Sequence, residues 1–366
     1  MKKIRNGIAI MLTVLLAFLL CSCAGNTDRA KNGVKITATD AKTEQTEEYN
    51  DAVFSMTIPK GWKVTCGGSD IYHSIRISDP DEPLNCMFVL LKADCLLHSQ
   101  EGKDAWKAVY NEGNRDAVIF ANAPVLEKPS TESFFKIFAQ YADMASKFEA
   151  AYVGYSFPHY DNFTVTDRFS GSGDMVKYSL GDEFLRATFT DNGRAGEGMF
   201  SASVVDSKES LYSDRTVADY GLESVDSGYY MAYNIVAITA AKDTFIEWED
   251  LLTECLKTLK YSDIFENNIR GAIERDFFQA RCINQNFNQT MDGIMSSWDS
   301  RNKSIDIISQ KQSDATLGYE RVYDTRTKEI YRAAKGFTSS YKGKGYKPVT
   351  DDNMYTTPIS GYIEKD

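Results

Sequence analysis

The chain has 366 residues, 43% of them hydrophobic and 12% aromatic, with 41 Lys and Arg against 52 Asp and Glu, a net charge of −11 at neutral pH. That apolar fraction excludes a disordered chain and calls for a real core. The acidic balance excludes nucleic acid as a partner and opposes adhesion of the chain as a whole to anionic lipid, because the electrostatic term is repulsive.

Lys2, Lys3 and Arg5 precede an uncharged apolar run over residues 7–20. The run is too short to cross a ~30 Å hydrocarbon core comfortably as a helix. It suits the apolar stretch of an export signal. It ends in Leu20-Cys21-Ser22-Cys23-Ala24-Gly25. This resembles the lipobox of bacterial lipoprotein precursors, with an apolar residue three positions before the lipidated cysteine and a small one directly before it. Cys21 departs from the usual small or β-branched residue, and Leu20 is too bulky to precede a cut at Cys21. The resemblance implies cleavage after Ser22, a diacylglyceryl thioether on Cys23 and anchoring on the extracytoplasmic face of the cell membrane. Two acyl chains suffice for stable anchoring. The alternative is an ordinary signal peptide with incidental cysteines. Residues 1–22 are therefore read as a lipoprotein signal peptide. From Cys23 onward the chain has 38 basic and 52 acidic residues, a net of −14. Residues 23–48 hold almost no large apolar side chain and read as a flexible linker, spanning roughly 25–30 Å.

A folded region is expected over residues 49–262. Residues 53–58 read as a strand, Pro59-Lys60-Gly61 as a turn, and Trp62-Lys63-Val64 as renewed extended chain. Residues 71–77 alternate, with Ile71, His73, Ile75 and Ile77 on one side, and residues 87–91 form a continuous apolar strand. Helices are expected over 104–110 and 131–148. In the second, Phe134, Phe135, Phe138, Tyr141, Ala142, Ala145 and Phe148 recur every three or four residues behind the capping side chain of Ser130. Strands follow at 164–169, 175–180, 184–190, 198–205 and 229–239, with a hairpin signal at Asp191-Asn192-Gly193. Residues 243–259 form a helix with Phe245, Trp248, Leu251, Leu252, Cys255 and Leu259 as its apolar stripe.

The run Phe54-Ser55-Met56-Thr57-Ile58-Pro59-Lys60-Gly61-Trp62 resembles the opening of PsbP-like domains, and the last strand with the helix to Leu259 is similar to their close. The resemblance covers residues 49–262. It implies an α/β/α sandwich with an antiparallel sheet, an inserted helical pair between about residues 100 and 160, and a scaffolding or binding role without a common catalytic residue.

Residues 263–366 differ in character. Asp263 and Glu266 form a capping box with Asp263 as N-cap, ahead of a helix running toward residue 297. Residues 318–323 and 329–333 flank the polar loop 324–328 as a β-hairpin, and residues 355–363 close a small sheet. The fold class is α+β: a PsbP-like sandwich followed by a smaller helical and β-hairpin module.

Chemistry-bearing residues are sparse. His73, His98 and His159 are the histidines, and His73 reads as a core residue. Cys66, Cys86, Cys95, Cys255 and Cys282 remain beyond the anchor, an odd number without metal-like spacing, and most read as small buried hydrophobes whose redox state stays open. Asp206, Glu209, Asp214, Asp219, Glu223 and Asp226 read as a solvated acidic loop. No GxSxG, HExxH or P-loop pattern occurs, so neither cofactor nor metal is expected. The candidate partner surface is Trp298 with Tyr319, Tyr323 and Tyr331, because amphipathic aromatics suit contacts with proteins or sugars. The expected function is a membrane-anchored, non-catalytic structural or protein-interaction module facing an envelope protein. A binder of a small ligand or cell-wall fragment is the alternative, and a hydrolase the third reading.

Overall fold

The computed structural model describes residues 34–38, 44–170, 179–207, 221–222, 225–242, 244–273, 311, 314–351, 354–355, 357 and 359–365. The chain is α+β, its sheets almost wholly antiparallel. It divides into two compact units, one of Asp40–Leu317 with Thr350–Pro358 and one built on Gly318–Val349 and Ile359–Asp366 with the N-terminal residues through Thr39. In chain order the elements are β1 (Val34–Ala38), β2 (Thr46–Asn50), β3 (Phe54–Pro59), β4 (Lys63–Gly67), β5 (Ser74–Ser78), β6 (Cys86–Leu97), α1 (Gln100–Asn111), α2 (Val118–Asn122), α3 (Thr131–Phe148), β7 (Asp161–Ser170), β8 (Gly181–Asp191), β9 (Arg194–Asp206) and β10 (Tyr229–Ala241). They continue with α4 (Phe245–Lys257), β11 (Lys260–Tyr261), α5 (Asp263–Ile273), β12 (Tyr319–Asp324), β13 (Ile330–Ala334), α6 (Phe337–Ser340), β14 (Tyr346–Pro348) and β15 (Ile359–Lys365).

The larger unit is organised by a seven-stranded sheet in the order β4-β5-β6-β10-β9-β8-β7. Alternate residues of its central strand serve opposite cores, as strand geometry demands. Phe88 and Leu90 of β6 join a core with Phe134, Phe135, Phe138 and Tyr141 of α3, whereas Met87, Val89 and Leu91 join one with Trp248, Leu252 and Leu256 of α4. The second core also holds Phe54, Met56 and Ile58 of the small sheet β11-β3-β2, together with Phe265 and Ile269 of α5. Both faces are therefore covered, which explains why β6 and β10 carry apolar residues on both faces instead of alternating.

Local signals set the boundaries. Ser130 accepts a hydrogen bond from the Ser133 amide at 3.0 Å and starts α3. Its first turn lies so close to β8 that a Cβ on Gly181 would sit 2.5 Å from Ser130 Cα, so only glycine fits there. Asn192 (φ 50°) and Gly193 (φ 78°) supply the two left-handed residues of a tight β8–β9 hairpin.

Several expectations shift. His73 is not within a strand; a 3-10 turn over Asp70–Tyr72 precedes β5. The N-cap of α5 is Ser262, whose hydroxyl accepts from the Phe265 amide at 3.2 Å, one residue earlier than expected. The helix is described through Ile273, and the remainder of the stretch toward 297, like the expected strand at 175–180, lies outside the described residues. Since Phe265 and Ile269 are core to the larger unit, a boundary at 262/263 does not separate the units; the smaller one resumes at Gly318. Residues 34–38 and 46–48, expected in a linker, are strands: β1 is short and polar-flanked, so only its pairing with β15 reveals it. The smaller unit's sheet has the order β1-β15-β13-β12-β14, with β13 and β15 parallel, over a core of Val322, Tyr331, Ala333, Phe337, Tyr346 and Ile363.

Candidate functional site

Strand β6 runs Cys-Met-Phe-Val-Leu-Leu-Lys-Ala-Asp-Cys-Leu-Leu, and all but one of its residues are buried. Lys92 is only 1% exposed. A lone ammonium in such a place costs several kcal/mol unless it is paired and hydrogen-bonded. Its partner is Asp94, two residues on, with Nζ 2.8 Å from Oδ2. The Tyr72 hydroxyl donates to the same oxygen at 2.6 Å. The Tyr72 and Tyr233 rings lie 5.3 and 5.5 Å from Nζ, close enough for cation–π attraction. Asp94 Oδ1 is buried and accepts no hydrogen bond among the described residues.

Two irregularities frame this cluster. β6 gains one residue against β10 between Ala93 and Leu96, where Cys95 has a φ of 61°. β10 gains one against β9 between Tyr233 and Val236, where Asn234 has a φ of 51°. Lys92 and Tyr233 are paired directly between these bulges. Bulges re-aim side chains and cluster beside functional sites. β5 pairs with β6 only over Cys86–Leu90, so the Asp70–Tyr72 turn takes over beyond it. That turn is held by the Tyr152 hydroxyl donating to the Tyr72 carbonyl at 2.6 Å.

A second acid belongs to the same neighbourhood. Burial, and then the negative charge of Asp94, push the Glu149 carboxyl up to about 7. The Tyr72 phenol is held well above its usual range by burial and by Asp94. Burial also raises the described thiols: Cys66 and Cys255 to about 11, and Cys86 and Cys95 in the same direction. These thiols stay protonated at neutral pH and are poor nucleophiles. The cluster can hold a proton on Glu149 and offers Asp94 Oδ1 to one further donor.

His98 ties together the ends of three segments. Its Nδ1 is 2.9 Å from Asp226 Oδ1, its Nε2 is 3.7 Å from Asp206 Oδ1, and its ring centre is 4.1 Å from that of Tyr230. Ser99 caps α1 and donates its hydroxyl to the Asp226 carbonyl at 3.0 Å. An acid orients the imidazole here, but Nε2 makes no hydrogen bond among the described residues. The geometry supplies the acid–His part of a nucleophile arrangement and joins no nucleophile to it. His73 lies among the rings of Phe54, Tyr261 and Phe265, and burial lowers it to about 4, so it is neutral. Asp206 is buried rather than solvated, Asp226 is more exposed, and the other acids of that loop lie outside the described residues.

The residues singled out from the sequence are not gathered on one face. Tyr331 is turned into the small core beside Val322, its hydroxyl donating to Glu329 at 2.7 Å. Tyr319 and Tyr323, half-buried, alternate with Val322 and so lie on the opposite face, Tyr319 under the Arg332 guanidinium at 5.6 Å and Tyr323 under Lys328 at 5.3 Å. Cys23, Trp298 and Cys282 lie outside the described residues. The Lys92–Asp94 pair was missed, although a single Lys inside a twelve-residue apolar run with an acid two residues later is a readable signal of a buried pair. Comparison with protein-family models yields no match, and comparison with curated proteins yields none either.

Proposed function

We propose that this chain is a lipoprotein carried on the extracytoplasmic face of the cell membrane by a lipid on Cys23, and that its larger unit is a PsbP-like sandwich acting as a non-catalytic interaction module. One observation carries the PsbP-like reading: the two segments that bear the resemblance pack on each other. Trp62 of the opening motif and Trp248 of the closing helix have ring centres 5.4 Å apart. Around them, the Thr57 amide donates to Thr258 Oγ1 at 2.8 Å, and β11 pairs with β3. The non-catalytic part is supported by where the buried charges go. Lys92 is spent on Asp94, and Arg186 on Glu197 at 2.6 Å with Glu249 at 3.8 Å. Charges consumed in pairs define structure rather than activate a reacting group.

The anchor is tested by growing cells with labelled palmitate. Label is expected in the wild type and Cys21→Ser, and none in Cys23→Ser; equal labelling of the Cys23 variant refutes the assignment. The module is tested by crosslinking the intact lipoprotein in its own membrane. Recovery of one reproducible protein partner supports it. A second reading, a small-ligand binder, is favoured by the unpartnered Asp94 Oδ1. A specific thermal shift by a small molecule that is lost in Asp94→Asn, without any protein partner, replaces the first reading by the second.

A further inference from the structure

The acidity of the chain hides a local reversal. Gly318–Val349, the body of the smaller unit, holds eight Lys and Arg against three Asp and Glu in a chain of net charge −11. Arg321 and Arg332 are buried, but Arg326, Lys328, Lys335, Lys342, Lys344 and Lys347 are exposed. Five of these six come to one end of the sheet. Asp324, where β12 ends, pairs with Tyr346, where β14 begins. The turn after β12 is bonded to the turn before β14, with the Thr325 amide donating to the Gly345 carbonyl at 2.8 Å and the Thr325 hydroxyl to the Lys344 carbonyl at 3.2 Å. Arg326 and Lys328 lie on the first turn, Lys342 and Lys344 on the second, and Lys347 on the edge strand itself.

The nearby acids are occupied by neutral donors. Asp324 Oδ1 accepts the amides of Arg326 and Thr327 at 2.7 and 3.1 Å, and Glu329 Oε2 accepts the hydroxyls of Thr327 and Tyr331 at 2.9 and 2.7 Å. Lys328 rests over the Tyr323 ring, while Lys342, Lys344 and Lys347 form no ion pair among the described residues. Lys342, Lys344 and Lys347 carry like charge at one end of the sheet and repel one another, and an external anionic surface relieves that repulsion.

The path of the chain says which surface is nearest. β1 pairs along its whole length with β15, so the smaller unit, mostly C-terminal in sequence, also holds the first described strand, whose Val34 sits beside Lys365 at the end of the sheet opposite the basic turns. Ten residues separate Cys23 from Val34. Fully extended they span at most about 35 Å. We propose that this basic end of the smaller unit binds anionic phospholipid headgroups of the membrane that carries the chain. Its reach to the bilayer rests on acylation of Cys23 and on that connection, which fully extended exceeds the roughly 23 Å of the seven-residue β15; the surface itself does not. Each Lys near an anionic bilayer strengthens binding about fivefold, within a screening length of ~8 Å at physiological salt.

The test uses the mature chain with Cys23→Ser, so that no acyl chain contributes, and measures sedimentation with vesicles. Binding to vesicles with 30 mol% phosphatidylglycerol is expected to exceed binding to pure phosphatidylcholine by about tenfold or more at low salt and to vanish at high salt. Lys342→Gln with Lys344→Gln and Lys347→Gln, its fold checked by circular dichroism, is expected to lose that excess. Equal binding to the two vesicle types, or an excess that survives the triple substitution, overturns the proposal. So does binding of a soluble poly(glycerol phosphate) without any binding to phosphatidylglycerol vesicles, since the surface then reads a wall polymer. It is also overturned if the lysines only blunt the edge strand, as Lys and Pro on β14 can do, because the triple variant then aggregates with no change in lipid preference. Failure here leaves palmitate labelling of Cys23 unaffected, so the two readings fall separately.

Discussion

The two units treat lysine differently, although both bury arginine. The larger one takes charge inside and cancels it there, in the Lys92–Asp94 and Arg186–Glu197 pairs, between two cores on the faces of one broad sheet. The smaller one has a single core of six buried residues and keeps its lysines outside, Lys328, Lys342 and Lys344 among them on two bonded turns. The difference teaches that a chain-wide net charge is an average over surfaces of different local charge. Repulsion from anionic lipid, inferred for the chain as a whole, does not extend to a unit whose own exposed charge has the other sign.

The largest effect is expected where the larger unit has internalised a charge. Lys92→Ala leaves Asp94 buried without its cation and opens a void, and is expected to cost about 3–5 kcal/mol in chemical denaturation. The paired replacement of Lys92 by Met and Asp94 by Leu is expected to recover most of that loss, because two apolar groups need no partner. If the single substitution is harmless, the pair is not desolvated and the contrast between the units collapses.

Core truncation compares the depth of the two interiors. Phe138 is fully buried among the rings of Phe88, Phe134, Phe157 and Tyr160, so Phe138→Ala is expected to cost about 3–5 kcal/mol. Phe337 is 6% exposed in a cluster of six, so Phe337→Ala is expected near the lower end, about 3 kcal/mol or less. A reversed order in denaturant titrations would show that the small core is the better packed.

Much of the larger unit was legible because its signals are local and periodic. The helix over Thr131–Phe148 was visible in its aromatic spacing and its Ser130 cap, and the β8–β9 hairpin in Asn192-Gly193. What stayed hidden is what depends on pairing partners distant in sequence. β1 meets β15 across more than three hundred residues, and no feature of Val34–Ala38 announces that. Lys92, Asp94 and Glu149 are brought together by bulges and by the end of α3, and bulges have no sequence signature. His98 lies in the bend between β6 and α1, and Asp206 and Asp226 reach it only in the fold.

Next in size is a pH effect built from two opposed groups of the larger unit. Glu149 is raised from 4.5 to about 7, so the folded state binds its proton more tightly; the associated stability is complete at low pH and is lost as pH rises through that window. His73 is lowered from 6.5 to about 4, so its contribution is complete above that range and is lost as pH falls through it. Each is worth on the order of 2–3 kcal/mol, and the two slopes largely cancel between pH 4.5 and 6.5. Glu149→Gln is expected to unmask the histidine slope, so that stability climbs with pH to about 6.5 and exceeds the wild type at pH 8. A variant whose stability parallels the wild type at every pH would show that Glu149 is solvated.

The smallest effect lies at helix starts, where the same substitution does different things in the two units. Ser130 at the head of α3 accepts from the Ser133 amide, and Ser130→Ala is expected to cost about 1 kcal/mol by orphaning that donor. Gly336 precedes α6 with a φ of 90° and makes no side-chain cap. Gly336→Ala therefore removes no hydrogen bond; it is expected to cost about 1–2 kcal/mol by forcing a Cβ into left-handed backbone. Serine separates the two causes. Ser130→Gly is expected to cost only a few tenths of a kcal/mol, because glycine tolerates the cap position. Gly336→Ser is expected to be as harmful as Gly336→Ala despite its capping hydroxyl, since the strain at the backbone outweighs the bond offered. A gain in stability from Gly336→Ser, read as a higher denaturant midpoint at unchanged slope, would mean that capping rather than backbone geometry limits the start of this helix.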